Sequence, residues 1–101
     1  MKKIKNNKEV VITDEQRKWA EEITKYIEPN RLYNLFSKGE VKKDWKQFGK
    51  IVGLFYKDVL EDFIKDNPEF NELEKGERKI IQKLARTTAQ EITREVLRRE
   101  I

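Results

Sequence analysis

Between Trp45 and Phe63, apolar side chains recur at Trp45, Phe48, Val52, Phe55, Val59 and Phe63. Steps of three and four residues gather these side chains on one side of an α-helix, whereas on a strand they would fall on both faces. The spacing predicts a long helix from about Lys42 to Asp66, buried along that stripe. Leu54, Leu60 and Ile64 fall off the stripe. A helix with apolar residues on more than one side sits centrally and touches several neighbours. No other stretch alternates as a strand would. The expected fold is therefore all-α: a small helical bundle of three main helices plus one or two short ones, around an aromatic-rich core.

Punctuation places the other helices. Thr13-Asp-Glu-Gln is a capping box, in which Thr13 and Gln16 satisfy each other's free backbone donors. The helix it opens carries Trp19, Ala20, Ile23, Tyr26 and Ile27 on one face, and Pro29 is expected to end it. Asn30 is expected to cap a short helix over Arg31 to Ser37, stopped by Gly39. Asn67-Pro68 marks another start, with a short helix reaching about Lys75 before Gly76 breaks or bends the chain. The last helix is expected from Glu77 to about Arg99. Its inward side would be Ile80, Ile81, Leu84, Ala85, Thr88, Ala89, Ile92 and Val96. Val10, Val11 and Ile12 read as an extended lead-in against the first helix. Residues 1–9, with four lysines and little apolar content, read as a flexible basic arm, leaving 10–101 as a single helical domain.

Absences narrow the chemistry. With no cysteine there is no disulfide, thiolate metal site or cysteine nucleophile. With no histidine, the commonest general base and the commonest transition-metal ligand are missing. The expectation is a protein that is not an enzyme and uses no cofactor and no metal. No apolar run approaches the roughly 18 residues of a membrane span. The start, Met1 to Lys5, is basic but lacks the apolar stretch of a secretory signal, so a cytoplasmic location is expected.

Acidic side chains leave one remote enzymatic alternative, a magnesium-dependent carboxylate phosphohydrolase. Glu21-Glu22 and Asp58-x-x-Glu61 resemble the metal-binding motifs of the all-helical MazG-type nucleotide pyrophosphohydrolases. The third acid of the first motif is replaced by Lys25, and the second motif runs in reverse order.

The formal net charge of +4 is unevenly spread. Residues 1–12 hold four lysines and one acid, and 77–101 hold seven Lys or Arg and four Glu. The stretch between them holds twelve bases and fourteen acids. Basic ends around a slightly acidic body suggest a backbone-binding surface for nucleic acid. It would consist of Lys2, Lys3, Lys5 and Lys8 in the arm and Lys79, Lys83, Arg86, Arg94 and Arg98 on the outer side of the last helix. The lysines Lys42, Lys43, Lys46, Lys50 and Lys57, and the acids Asp58, Glu61, Asp62 and Asp66, read as solvated surface. Trp19 and Trp45 both fall on apolar stripes and are expected inside. The run from Leu73 to Ala85, followed by Glu91 to Val96, resembles the entry into LuxR-type or sigma-factor DNA-binding helices. The five residues after Val96 leave no room for a recognition helix.

The apolar residues Leu54, Leu60, Ile64 and Leu97 exceed what a single stripe needs. They are the candidate partner-binding residues, for another protein or for self-association. Together these features describe a small non-enzymatic accessory protein that docks on a protein partner and contacts nucleic-acid backbone through its basic ends. The alternative is a pure protein-interaction module, an inhibitor or immunity-type protein, with no nucleic-acid role.

Overall fold

The computed structural model describes residues 11–101. Among them are four α-helices: α1 (Asp14–Thr24), α2 (Pro29–Ser37), α3 (Phe48–Asp66) and α4 (Lys75–Glu100). Short 3-10 helices at Trp45–Gln47 and Pro68–Glu72 precede α3 and α4. No strand occurs among the described residues. The long α4 packs against α1, α2 and α3, and α3 packs against all three of the others. The expected all-α bundle is thus the fold observed.

Each helix start has a local cause. The Thr13 hydroxyl accepts from the Gln16 N–H at 3.1 Å, and the Gln16 side chain accepts from the Thr13 N–H at 3.1 Å. This closes the capping box on α1. The end of α1 departs from expectation. The Thr24 hydroxyl donates to the Ala20 carbonyl at 2.8 Å, and the chain tightens into three-residue turns at Tyr26 and Ile27. Pro29 does not terminate α1. It is the first residue of α2, where its missing N–H needs no partner, and Glu28 rather than Asn30 takes the cap position. Gly39 does end α2, at φ 76°. The Glu40 N–H reaches the Leu35 carbonyl and the Gly39 N–H reaches that of Phe36, the paired bonds of a Schellman motif.

Two further boundaries move. α3 begins at Phe48 rather than near Lys42, because the Asp44 carboxylate accepts from the Lys46 N–H at 3.0 Å and sets a separate 3-10 turn. That turn breaks the helical phase, and Trp45 emerges 44% exposed instead of joining the stripe. Gly76 does not break the chain; it lies in the first turn of α4, which starts at Lys75.

The core is aromatic at one end and small-residue at the other. Phe63 and Phe70 are fully buried. Trp19, Tyr26 and Phe70 meet the Phe63 ring edge-on, with centroids 6.0, 5.5 and 5.6 Å away. Such edge-to-face pairs contribute beyond their buried area. Ala85 and Ala89 are buried on α4 and leave room for a neighbouring helix to approach closely. Of the expected lead-in, Val10 lies outside the described residues, Val11 is exposed, and Ile12 is partly covered and lines a groove with Ile80 and Leu84 of α4.

Candidate nucleic-acid interface

α4 is buried along Ile81, Ala85, Ala89, Thr93 and Leu97, a ridge of four-residue steps. At 3.6 residues per turn, each such step advances about 40° around the helix, so the buried side winds as the helix proceeds. This winding corrects the partner-binding set. On a straight wheel Leu97 shares its angular position with Lys79, yet Lys79 is exposed and Leu97 is fully buried. Leu97 is a core residue and is not available to a partner. Leu54, Leu60 and Ile64 are half-buried and packed against the core.

The same geometry divides the basic stripe. Arg86, Gln90, Arg94 and Arg98 form a second ridge, parallel to the buried one and about 100° further round. Its three arginines are exposed, and among the described residues none is in an ion pair. Lys79 and Lys83 are also exposed but flank the groove formed by Ile12, Ile80 and Leu84. Lys2, Lys3, Lys5 and Lys8 lie outside the described residues.

The arginine ridge borders α3. The Arg94 guanidinium carbon sits 5.4 Å from the centre of the Phe48 ring. Further along, the charge of Arg86 acts on the Tyr56 hydroxyl. Tyr56 is buried, and its hydroxyl has no hydrogen-bond partner. Burial pushes that hydroxyl's pKa well up, opposed only in part by Arg86. Phe48, Val52 and Tyr56 are themselves four residues apart. Arg94 meets the first of them and the charge of Arg86 acts on the last, so α3 and α4 run in opposite directions here.

At the start of α3 the cationic segments converge. Lys43 pairs with Glu100 at 2.9 Å and sits over the Phe36 ring, 5.7 Å from its centre. The C-terminal end of α4 is thereby held against the loop that precedes α3. Trp45 stacks on Phe48 with centroids 6.2 Å apart and planes 21° from parallel. Of the lysine cluster read in the sequence, Lys42, Lys43, Lys46 and Lys50 thus belong to the same end of the molecule as Arg94 and Arg98, whereas Lys57 lies beside Lys38, Glu40 and Glu61. Glu91 and Glu95 line a shallow surface groove with Arg94 and Arg98 and moderate the positive charge there.

The acids of α3 hold the fold together. One Arg31 nitrogen lies 3.1 Å from Asp58 and 2.8 Å from Asp62, tying α2 to α3. Burial lowers the Arg31 pKa, but the hydrogen bonds it donates to these two carboxylates outweigh it and the net direction is up. The Tyr26 hydroxyl donates to Asp66 at 2.6 Å. That bond is the main reason the Tyr26 pKa is raised. Among the described residues no three acids, histidines or cysteines cluster as a metal site would require. Among the described residues no helix is long and apolar enough to cross a membrane.

No curated protein and no solved structure matches the chain. A family model described as T4 RNA ligase 2 C-terminal matches residues 9–91, which spans α1, α2, α3 and most of α4. A match over most of the chain shows the family: the chain belongs to the T4 RNA ligase 2 C-terminal family.

Proposed function

We propose that this domain is a non-catalytic RNA-contacting module that works beside the catalytic part of an RNA ligase. Its task in this reading is to hold the RNA backbone along the arginine ridge of α4. The observation that carries the reading is that Arg86, Arg94 and Arg98 lie exposed and without an ion pair on one ridge of α4, with Arg94 over the Phe48 ring of α3, within a family named for an RNA ligase. Arginine suits this role because its planar, weakly hydrated guanidinium forms forked hydrogen bonds to phosphate. The absence of histidine and cysteine supports a binding role over a catalytic one. The protein partner in this reading is the ligase's catalytic part, since the family is named for the C-terminal portion of such an enzyme.

The test is RNA binding by fluorescence anisotropy across a salt series, for the wild type and for Arg94→Glu/Arg98→Glu. Each phosphate contact to a single strand contributes about −0.7 to the slope of log affinity against log salt. The double variant should bind more weakly and show a slope shallower by about 1.4. Wild-type affinity that does not respond to salt would refute the proposal. A double variant with the wild-type slope would refute it as well.

A further inference from the structure

We propose that Trp45 is a stacking platform for an unpaired RNA base, placed at the end of the arginine ridge. The inference rests on the reading of that ridge as an RNA-backbone surface. Among the described residues, Trp45 is the one aromatic ring that is exposed, at 44%. Tryptophan is the largest apolar side chain, and its spacing in the sequence would place it on the buried stripe of a continuous helix. Instead Asp44 accepts from the Lys46 N–H and fixes a 3-10 turn that presents the ring outward. One side of the indole leans on Phe48 at 6.2 Å, and Arg94 in turn lies over Phe48 at 5.4 Å. The indole is therefore supported by Phe48, which Arg94 contacts in turn, while much of the ring remains open to solvent.

The electrostatic setting fits a polyanion. Lys42, Lys43, Lys46 and Lys50 flank the ring in the chain, and Lys42, Lys46 and Lys50 are exposed. The single acid between Lys43 and Lys46 is Asp44, whose carboxylate is engaged with backbone. Glu100 is engaged with Lys43. An exposed aromatic ring among cations is the arrangement that binds single-stranded nucleic acid: the cations follow the backbone while the ring stacks a base. In a blunt duplex the bases are stacked on each other and their faces are not accessible to a surface indole. The ligand class is therefore RNA with unpaired nucleotides, such as a single strand or an overhang.

The experiment compares the full chain with Trp45→Ala and Trp45→Phe. Binding is measured to a short single-stranded RNA and to a blunt duplex of the same sequence. Loss of one base–aromatic stack should weaken single-strand binding by roughly 5- to 150-fold in Trp45→Ala. Trp45→Phe should retain most of the affinity. The salt slope should be unchanged in both variants, because the indole carries no charge. Duplex affinity should be unaffected by either substitution. Circular dichroism melts establish that the variants are folded, and a peripheral ring makes that the expected result. An independent readout is intrinsic fluorescence: RNA should quench emission of the wild type, and Trp45→Phe should remove the quench.

Equal single-strand affinity for Trp45→Ala and the wild type overturns the platform. If Arg94→Glu/Arg98→Glu is weakened in the same assay, the backbone reading stands without it. An equal loss on single strand and duplex also overturns the platform, because stacking on an unpaired base would then not be the cause. A wild type that binds neither RNA overturns both proposals.

Discussion

Tyr56→Phe should make the domain more stable. The Tyr56 side chain is buried on α3, and its hydroxyl has no hydrogen-bond partner. Leaving a buried polar group unsatisfied costs about 1–3 kcal/mol relative to hydrating it in the unfolded chain. Phenylalanine keeps the ring and its packing and removes only the oxygen. The expected gain is about 1 kcal/mol, with about 3 as the upper end. For a domain of about this size, 1 kcal/mol corresponds to a rise in Tm of roughly 4–8 °C. A second signature follows from proton linkage. Burial holds the folded hydroxyl's pKa above that of an unfolded tyrosine, which is about 10. Above that pH the unfolded chain releases a proton that the folded chain keeps, so alkali favours unfolding. One pH unit above the unfolded pKa the loss from this group is about 1.4 kcal/mol, and Tyr56→Phe does not suffer it. The advantage of the variant should therefore widen between pH 9 and pH 11, roughly the window that brackets the unfolded tyrosine. Lysine titration affects both proteins alike and cancels in the difference. Urea unfolding followed by circular dichroism at both pH values makes the measurement. A variant less stable than the wild type at neutral pH would mean that the hydroxyl has a partner, and the reasoning would fail.

Two other substitutions probe how the fold is held. Phe63→Ala removes the ring that Trp19, Tyr26 and Phe70 all meet edge-on, and should cost about 3–5 kcal/mol in chemical denaturation. A loss below about 1 kcal/mol would mean that the site collapses without penalty or that Phe63 is not the hub of the cluster. Thr13→Ala opens the capping box on α1 and should cost about 1 kcal/mol, while Thr13→Ser should restore most of it; equal losses in both would show that the cap does not depend on the hydroxyl.

Much of the fold was legible because it rests on local rules. The Thr13 capping box and the Gly39 stop are set by a few adjacent residues, and both are found where the sequence placed them. The stripe of Val52, Phe55, Val59 and Phe63 is buried as its spacing requires. Errors arose where one residue type serves two ends of an element. Pro29 was equally compatible with the end of one helix and the first position of the next, and the back-bond of Thr24 had already ended α1. Trp45 misled because a periodicity was extended through a segment whose capping residue, Asp44, resets the phase. Leu97 misled because a straight wheel ignores the drift of a contact that follows four-residue steps. The acids of α3 lie at the surface as their pattern implies, but Asp58 and Asp62 also hold Arg31 and Asp66 holds Tyr26, pairings across 27 to 40 residues that no local pattern encodes.

The candidate surface has the same origin. Its components are legible one by one: a basic last helix, a lysine cluster around the start of α3, and Trp45. Their assembly depends on α3 and α4 running in opposite directions, so that Arg94 reaches Phe48 and Lys43 reaches Glu100. Antiparallel packing brings two moderately basic segments, each of which alone would be an ordinary solvated face, to one end of the molecule, where Trp45 is exposed. Charge that is clustered in this way acts more strongly on a polyanion than the modest net charge suggests, because phosphates within a screening length of about 10 Å respond to the local cations rather than to the chain total. It also explains why the arginines and the lysines need not act alike. Arg94 lies over the Phe48 ring and, in the proposed reading, can orient a phosphate, whereas Lys46 and Lys50 are exposed on flexible stems and would supply attraction without direction. Replacing Arg94 by lysine should then weaken RNA binding although the charge is kept, and replacing Lys50 by arginine should change it little.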